Sequence, residues 1–276
     1  MALVEPLLIL RGLCKHYGGV RALDDFDLDV HEGDVLGVCG DNGAGKSTLI
    51  RLLSGAVAPT AGLISVDGDR LWRHTPQESL AVGIATIYQD LALAPRLSIA
   101  QNVFMGHELL ARPRFLGLLA KRRMREQARH LLDRFGFAVT DMDRPVSDLS
   151  GGQRQAVALA RAMRFEARLV ILDEPTAALG VSESRMVLDL IRALHAQGVT
   201  VILVSHNMDD LIAVTRRVVV LKAGRKAGEA ATAGLTAASL AACIMTGKVP
   251  DFAEPAREPG PDTRIAGPGR LVRHSV

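Results

Sequence analysis

The chain has 276 residues, 48% of them hydrophobic and 23% charged, with a formal net charge of +3. That leaves room for one large domain or two small ones with an ample core, and so slight a charge makes no case for a nucleic-acid partner. No apolar run has membrane-spanning length, the start Met1-Ala2-Leu3-Val4-Glu5-Pro6 lacks the segments of a signal peptide, and the scattered Cys14, Cys39 and Cys243 suit a reducing cytosol.

Leu7 to Arg11 reads as a strand, and Phe26, Leu28 and Val30 alternate with Asp25, Asp27 and Asp29 as a half-buried strand with an acidic outer face. Between them Tyr17 precedes Gly18-Gly19; such an aromatic either packs or stacks on an adenine ring. The cysteines form no metal-ligand cluster by spacing and read as small core residues.

Val35-Leu36-Gly37-Val38-Cys39 reads as a buried strand and Thr48 to Leu53 as a helix ended by Ser54-Gly55. Between them Gly40-Asp41-Asn42-Gly43-Ala44-Gly45-Lys46-Ser47 carries the pattern G-x-x-x-x-G-K-[ST]. Strand, glycine loop and helix form the setting in which backbone N–H groups and a helix start receive phosphate. Lys46 is then placed to reach β- and γ-phosphates, and the Ser47 hydroxyl to ligate Mg²⁺.

Gly62 to Gly68 predicts a short strand, and Thr75-Pro76-Gln77-Glu78 a helix start with a capping box. Ile84 to Tyr88 predicts a strand that leaves Gln89-Asp90 at its exit, where α/β proteins put ligand contacts. From Leu91 to Met163 the texture is mostly helical. Ser98 to Gln101 is a second capping box, and Met124, Ala128, Leu131, Leu132 and Phe135 form one apolar stripe closed by Gly136. Lys121, Arg122, Arg123 and Arg125 read as a solvated face.

Ser150 caps a helix and Gln153 completes its box, with Gly151-Gly152 between them. Each glycine there costs about 1 kcal/mol against alanine. A helix start stripped of side chains is open to an anion, which marks Ser150, Gly151, Gly152 and Gln153 as a second phosphate-reading element. Leu169 to Glu174 is a buried strand ending in two acids: Asp173 suits Mg²⁺ or its waters, and Glu174 suits a general base. Val187, Leu190, Ile191 and Leu194 mark a helix ended by Gly198. Val199 to Val204 is the next strand, and Ser205-His206 leaves it; His206 is a candidate γ-phosphate contact. Val218 to Lys222 is a late strand and Thr236 to Met245 a last helix. The prolines from Pro250 onward, with glycines and scattered charges, predict a flexible tail over 249–276.

The ordered set of phosphate loop, Leu149-Ser150-Gly151-Gly152-Gln153 and acidic strand resembles the ATPase subunits of ATP-binding cassette (ABC) transporters over Leu7 to Gly247. The resemblance implies an α/β fold: a P-loop NTPase core with a mostly parallel sheet flanked by helices, an antiparallel β part and a helical subdomain. The domain would span 1–248, with the helical part at about 91–163. It implies ATP and Mg²⁺ as ligands, Tyr17 stacking on adenine, and Gly40 to Thr48 as the phosphate loop. Gln89 would sense Mg²⁺ and the membrane partner, Glu174 would be the general base and His206 the switch histidine. Gly180, after Ala178-Leu179, stands where the family pattern places an aspartate that serves an inter-subunit contact.

Ile87-Tyr88-Gln89-Asp90 through Pro95 and Thr176 to Gly180 further resemble bacterial monosaccharide importers of the ribose, xylose and fructose type. Many of those carry two cassettes in one chain; this sequence has one phosphate loop, so it is expected to pair with a second copy. Implied partners are permease subunits at the cytoplasmic face of the inner membrane and, indirectly, a periplasmic sugar-binding protein, with no nucleic acid. The alternatives are an importer subunit for another solute, a soluble cassette ATPase acting on ribosomes or nucleic acid, and a nucleotide kinase. The last leaves Leu149 to Gln153 unexplained.

Overall fold

The computed structural model describes residues 5–71, 75–111 and 117–249. A first antiparallel sheet is built from β1 (Leu8–Tyr17), β2 (Val20–Val30), β4 (Ala61–Val66) and the short β5 (Asp69–Arg70), in the order β2-β1-β4-β5. β1 runs well beyond the Leu7 to Arg11 expected from apolarity. Its later residues are held by pairing with β2, down to the Tyr17–Val20 pair at the hairpin tip.

The second sheet has six strands. β3 (Val35–Cys39), β6 (Ile84–Ile87), β7 (Leu169–Asp173) and β8 (Thr200–Val204) are parallel neighbours, and β9 (Arg217–Lys222) and β10 (Arg225–Ala231) close one edge as a hairpin. The order is β10-β9-β3-β8-β7-β6. The strands β3 and β8 are buried at every residue, which is why they read as unbroken apolar runs.

Helix α1 (Lys46–Leu53) follows β3, and α2 (Pro76–Ala81) precedes β6. Residues 91–163 contribute α3 (Ile99–Phe104), α4 (Lys121–Asp133), a 3-10 turn at Val146–Asp148 and α5 (Gly151–Met163). The described part of this stretch has isolated bridges but no strand. Helices α6 (Val181–Ala196), α7 (Met208–Val214) and α8 (Ala237–Thr246) complete the chain. The capping boxes at Ser98 and Ser150 form as the sequence predicts, each with its glutamine bonded back to the cap N–H.

Two cores result. One joins the antiparallel sheet and α1 to one face of the parallel strands, through Phe26, Leu36, Ile50, Ile171 and Ile202. The other joins the opposite face to α3, α4, α5 and α6, through Val103, Met124, Val157, Leu172 and Leu194. Val249, assigned to the tail by composition, packs against that second core beside Gly228; the rest of the expected tail lies outside the described residues.

Candidate active site

The parallel strands point their carboxyl ends the same way, so the segments leaving β3, β8, β7 and β6 gather along one edge of the sheet. The Gly40 to Thr48 loop leaves β3, Ser205-His206 leaves β8, Asp173-Glu174 ends β7, and Gln89 follows β6. Each of these came from the sequence independently; the strand order brings them to one edge.

The loop is shaped by contacts that side chains would block. A Cβ on Gly40 would lie 2.3 Å from the Leu221 carbonyl oxygen, and one on Gly45 2.7 Å from that of Ala22. The Ala44 N–H bonds Asp41 O at 3.0 Å, and the Gly224 N–H bonds Ala44 O at 3.0 Å. Gly45 precedes α1 with no side-chain cap, and the first turn of α1 holds no acid. Its N–H donors and partial positive charge are therefore left for an anion. Asp41, Asn42, Gly43 and Ser47 are exposed, and the Lys46 ammonium donates to Gly40 O at 2.6 Å and Asp41 O at 3.1 Å.

Glu174 adopts φ +50°, a left-handed conformation uncommon outside glycine. Its N–H is held by Val204 O at 2.8 Å, so β8 fixes this turn. Its Oε2 lies 2.6 Å from His206 Nδ1 and also accepts the His206 N–H at 3.3 Å. The carboxylate is mostly sheltered while the imidazole is 69% exposed, so His206 orients the acid from its solvent side. Beside it, burial and the neighbouring Glu174 charge hold the Asp173 carboxyl above its usual range, against the pull of Lys46 and Arg51. A carboxylate disfavoured in this way gains from a divalent cation, and the exposed Ser47 and Gln89 leave the neighbouring strand ends with oxygen atoms of the kind Mg²⁺ takes.

Tyr17 ends β1 with its ring 43% exposed, and the Lys15 ammonium lies 5.2 Å from the ring centroid. Ser150 is exposed at the start of α5. Among the described residues no hydrogen bond or ion pair joins Ser150 to Gln153 with the Gly40 to Thr48 loop. The glycine pair also has a packing reason that the sequence does not reveal. A Cβ on Gly151 would press on Leu179 Cδ2, and one on Gly152 would lie 3.0 Å from Met186 Sδ, so a larger residue at either position would require the Leu179 or Met186 side chain to move.

Two contributors escaped the sequence reading. Gln155 donates from Nε2 to the buried Pro175 carbonyl at 2.8 Å, tying α5 to the turn after Glu174. Glu183 accepts the N–H groups of Gly180 at 3.2 Å and Gly151 at 2.8 Å. An acid in the first turn after Gly180 signals the first bond; the second is a long-range contact without a local signal.

Cys14, which spacing alone places in no metal-ligand cluster, gains neighbours in the fold. Cys14, His16 and Asp24 each bring a donor atom within 4.8 Å of the others. Asp24 is also 2.6 Å from the Arg225 guanidinium and near Arg21, and the hydrogen bond from Arg225 holds its pKa below the usual range. Two guanidinium groups beside the one acid repel a cation there.

The ABC transporter family model matches residues 23–177, more than half of the chain. The fructose import ATP-binding protein FrcA of Rhizobium meliloti is 46% identical over 227 residues, covering 80% of this chain and 87% of that protein. The xylose/arabinose import ATP-binding protein XylG of Sulfolobus acidocaldarius is 42% identical, again covering 80% and 87%. The ribose import ATP-binding protein RbsA of Chelativorans sp. is 45% identical over 78% of this chain, which spans only 41% of that relative. Among solved structures, the dimeric post-hydrolysis state of the ATP-binding cassette MJ0796 bound to ADP and Pi matches with a TM-score of 0.68 at 25% identity. It covers 83% of this chain and all of the other. The site lies on the fold of an ATP-binding cassette, and the chain belongs to the ABC transporter family.

Proposed function

We propose that this chain is the ATP-hydrolysing subunit of a monosaccharide importer, working as a pair of copies on separate permease subunits at the cytoplasmic face of the membrane. The observation that carries the reading is the meeting of the Lys46 loop, the Glu174–His206 pair and Gln89 at one sheet edge. The relatives named for fructose, xylose/arabinose and ribose import support the sugar class. They give no support to a ribosome- or nucleic-acid-directed ATPase. The basic start of α4 does not either: Arg122 is paired with Glu126 and Arg125 with Asp143.

In this reading the first-turn N–H groups of α1 and the Gly40 to Thr48 backbone hold the β- and γ-phosphates, and the Lys46 ammonium exchanges its loop carbonyls for phosphate oxygens. Tyr17 stacks on the adenine. Ser47, Gln89 and Asp173 hold Mg²⁺ or its waters, and the ion when bound neutralises charge developing on the phosphate oxygens. Glu174 takes the proton of the attacking water, with His206 orienting its carboxylate. Ser150 to Gln153 faces the γ-phosphate bound by a second copy, so each of two sites is completed across a dimer. Uptake of labelled fructose, ribose and xylose into vesicles containing the permease, the binding protein and this chain tests the reading. One of the sugars should accumulate with ATP and fail to do so with Lys46→Ala. ATP-dependent uptake that persists in Lys46→Ala contradicts it.

A further inference from the structure

The start of α5 is already occupied by an anion of the same chain. Helix α5 has 13 residues, and its first-turn N–H groups carry the partial positive charge of the helix end. Their hydrogen bonds can be accounted for one by one. The Gln153 N–H goes to Ser150 Oγ at 3.4 Å, and the Ser150 N–H goes to Gln153 Oε1 at 3.0 Å. The Arg154 N–H returns to Ser150 O at 2.9 Å. The Gly151 N–H, at 2.8 Å, goes to the Glu183 carboxylate. Among the described residues the Gly152 N–H has no acceptor.

Glu183 lies in the first turn of α6, three residues after the cap residue Gly180. The carboxylate turns back to the Gly180 N–H with one oxygen and spans to Gly151 with the other. These two backbone bonds, helped by the Ser150 hydroxyl and Arg154, hold its pKa below the usual glutamate value, so it stays charged at neutral pH. A Cβ on Gly151 would lie 3.4 Å from both Glu183 oxygens, ordinary van der Waals contact, so the carboxylate lies directly against this turn.

We propose that Glu183 is a positioning residue of the composite site. Its carboxylate occupies the Gly151 N–H and adds a negative charge that an incoming γ-phosphate of the second copy meets. The proposal rests on the two-copy reading above. Two anions at one helix start repel, and the Gly151 N–H cannot serve both fully. Closure of the pair therefore works against Glu183, and its charge limits how tightly ATP holds the copies together. The carboxylate also sits on the segment that follows Glu174, to which Gln155 ties α5 a second time. Two hydrogen bonds thus join the start of α5 to the segment that follows the proposed base.

The test uses the full chain carrying Glu174→Gln, so that hydrolysis is slow, with Mg²⁺ and ATP. The dimer fraction is followed against protein concentration by sedimentation, and ATP affinity of the monomer is measured in the same samples. Glu183→Gln removes the charge at constant volume, Glu183→Ala removes the group, and Glu183→Asp keeps the charge one methylene shorter. Gln and Ala should dimerise at severalfold lower concentration with monomer ATP affinity unchanged, and Asp should not. A purely structural cap would lower the melting temperature in all three without tightening the dimer. Dimerisation of Gln and Ala at an unchanged or higher concentration overturns the proposal, as does tightening by Asp equal to that by Gln. Failure of Glu174→Gln alone to dimerise with ATP refutes the two-copy reading and this inference with it.

Discussion

Lys46 illustrates how much one side chain can be read from its neighbours in sequence. Its ammonium rests on two carbonyls of its own loop, Gly40 and Asp41. Charge-assisted bonds to phosphate are stronger than these, contributing about 1.5–3 kcal/mol each. Lys46→Ala should therefore weaken ATP binding about 10–100-fold in equilibrium dialysis, with the melting temperature little changed. His195 is a case that spacing does not reveal. Burial lowers its pKa, the Arg216 charge adds to that, and Gly33 and Asp34 oppose it. The folded chain then binds the proton less well than the unfolded chain does. Stability from this group is complete above the ordinary value of 6.5 and falls as pH drops through it. His195→Gln should lose less melting temperature between pH 7.5 and 5.5 than the wild type; an identical pH profile would contradict this. Lys46 and Glu174 could be singled out in the sequence because each sits at a fixed offset from a strand. Glu183 and Gln155 could not, because each bonds a partner far along the chain.

Elements followed the same division. The parallel strands and the Ser98 and Ser150 caps were legible, since burial on both faces and S-x-x-Q spacing are local signals. Strand β10 was missed because Arg225-Lys226-Ala227-Gly228-Glu229-Ala230-Ala231 has little strand propensity. It is held by pairing with β9 and by a charged cluster. Arg217 on β9 bonds Asp34 at 2.7 Å and the Asp29 carbonyl at 2.6 Å, and pairs with Glu229, which Lys226 also holds at 2.6 Å. The cluster joins both sheets, with all three principal side chains no more than 26% exposed. Arg217→Met leaves two sheltered acids short of their cation. It should cost about 3 kcal/mol in urea unfolding; a loss below about 0.5 kcal/mol, the range of ordinary surface changes, would show that the cluster is incidental. The seven-residue α7 also went unread, although Asn207 caps it by accepting from the Asp209 and Asp210 N–H groups.

At the scale of the whole molecule, the order of motifs announced the fold, but not how its helical part is attached. Residues of α3, α4 and α5 share one core with the parallel strands and α6, so the Ser150–Gly151 turn is carried on the same packed body as Glu174. That arrangement leaves Ser150 exposed and without a bond to its own phosphate loop, as a site completed by a second copy requires. On the proposed function this body hydrolyses ATP with Glu174 as base. Steady-state phosphate release from ATP and Mg²⁺, measured for the wild type and Glu174→Gln alongside nucleotide binding, tests it most directly. Glu174→Gln should bind ATP as well as the wild type while its turnover falls about 10²–10⁴-fold. Equal turnover by the two proteins, with ATP bound equally, would contradict it.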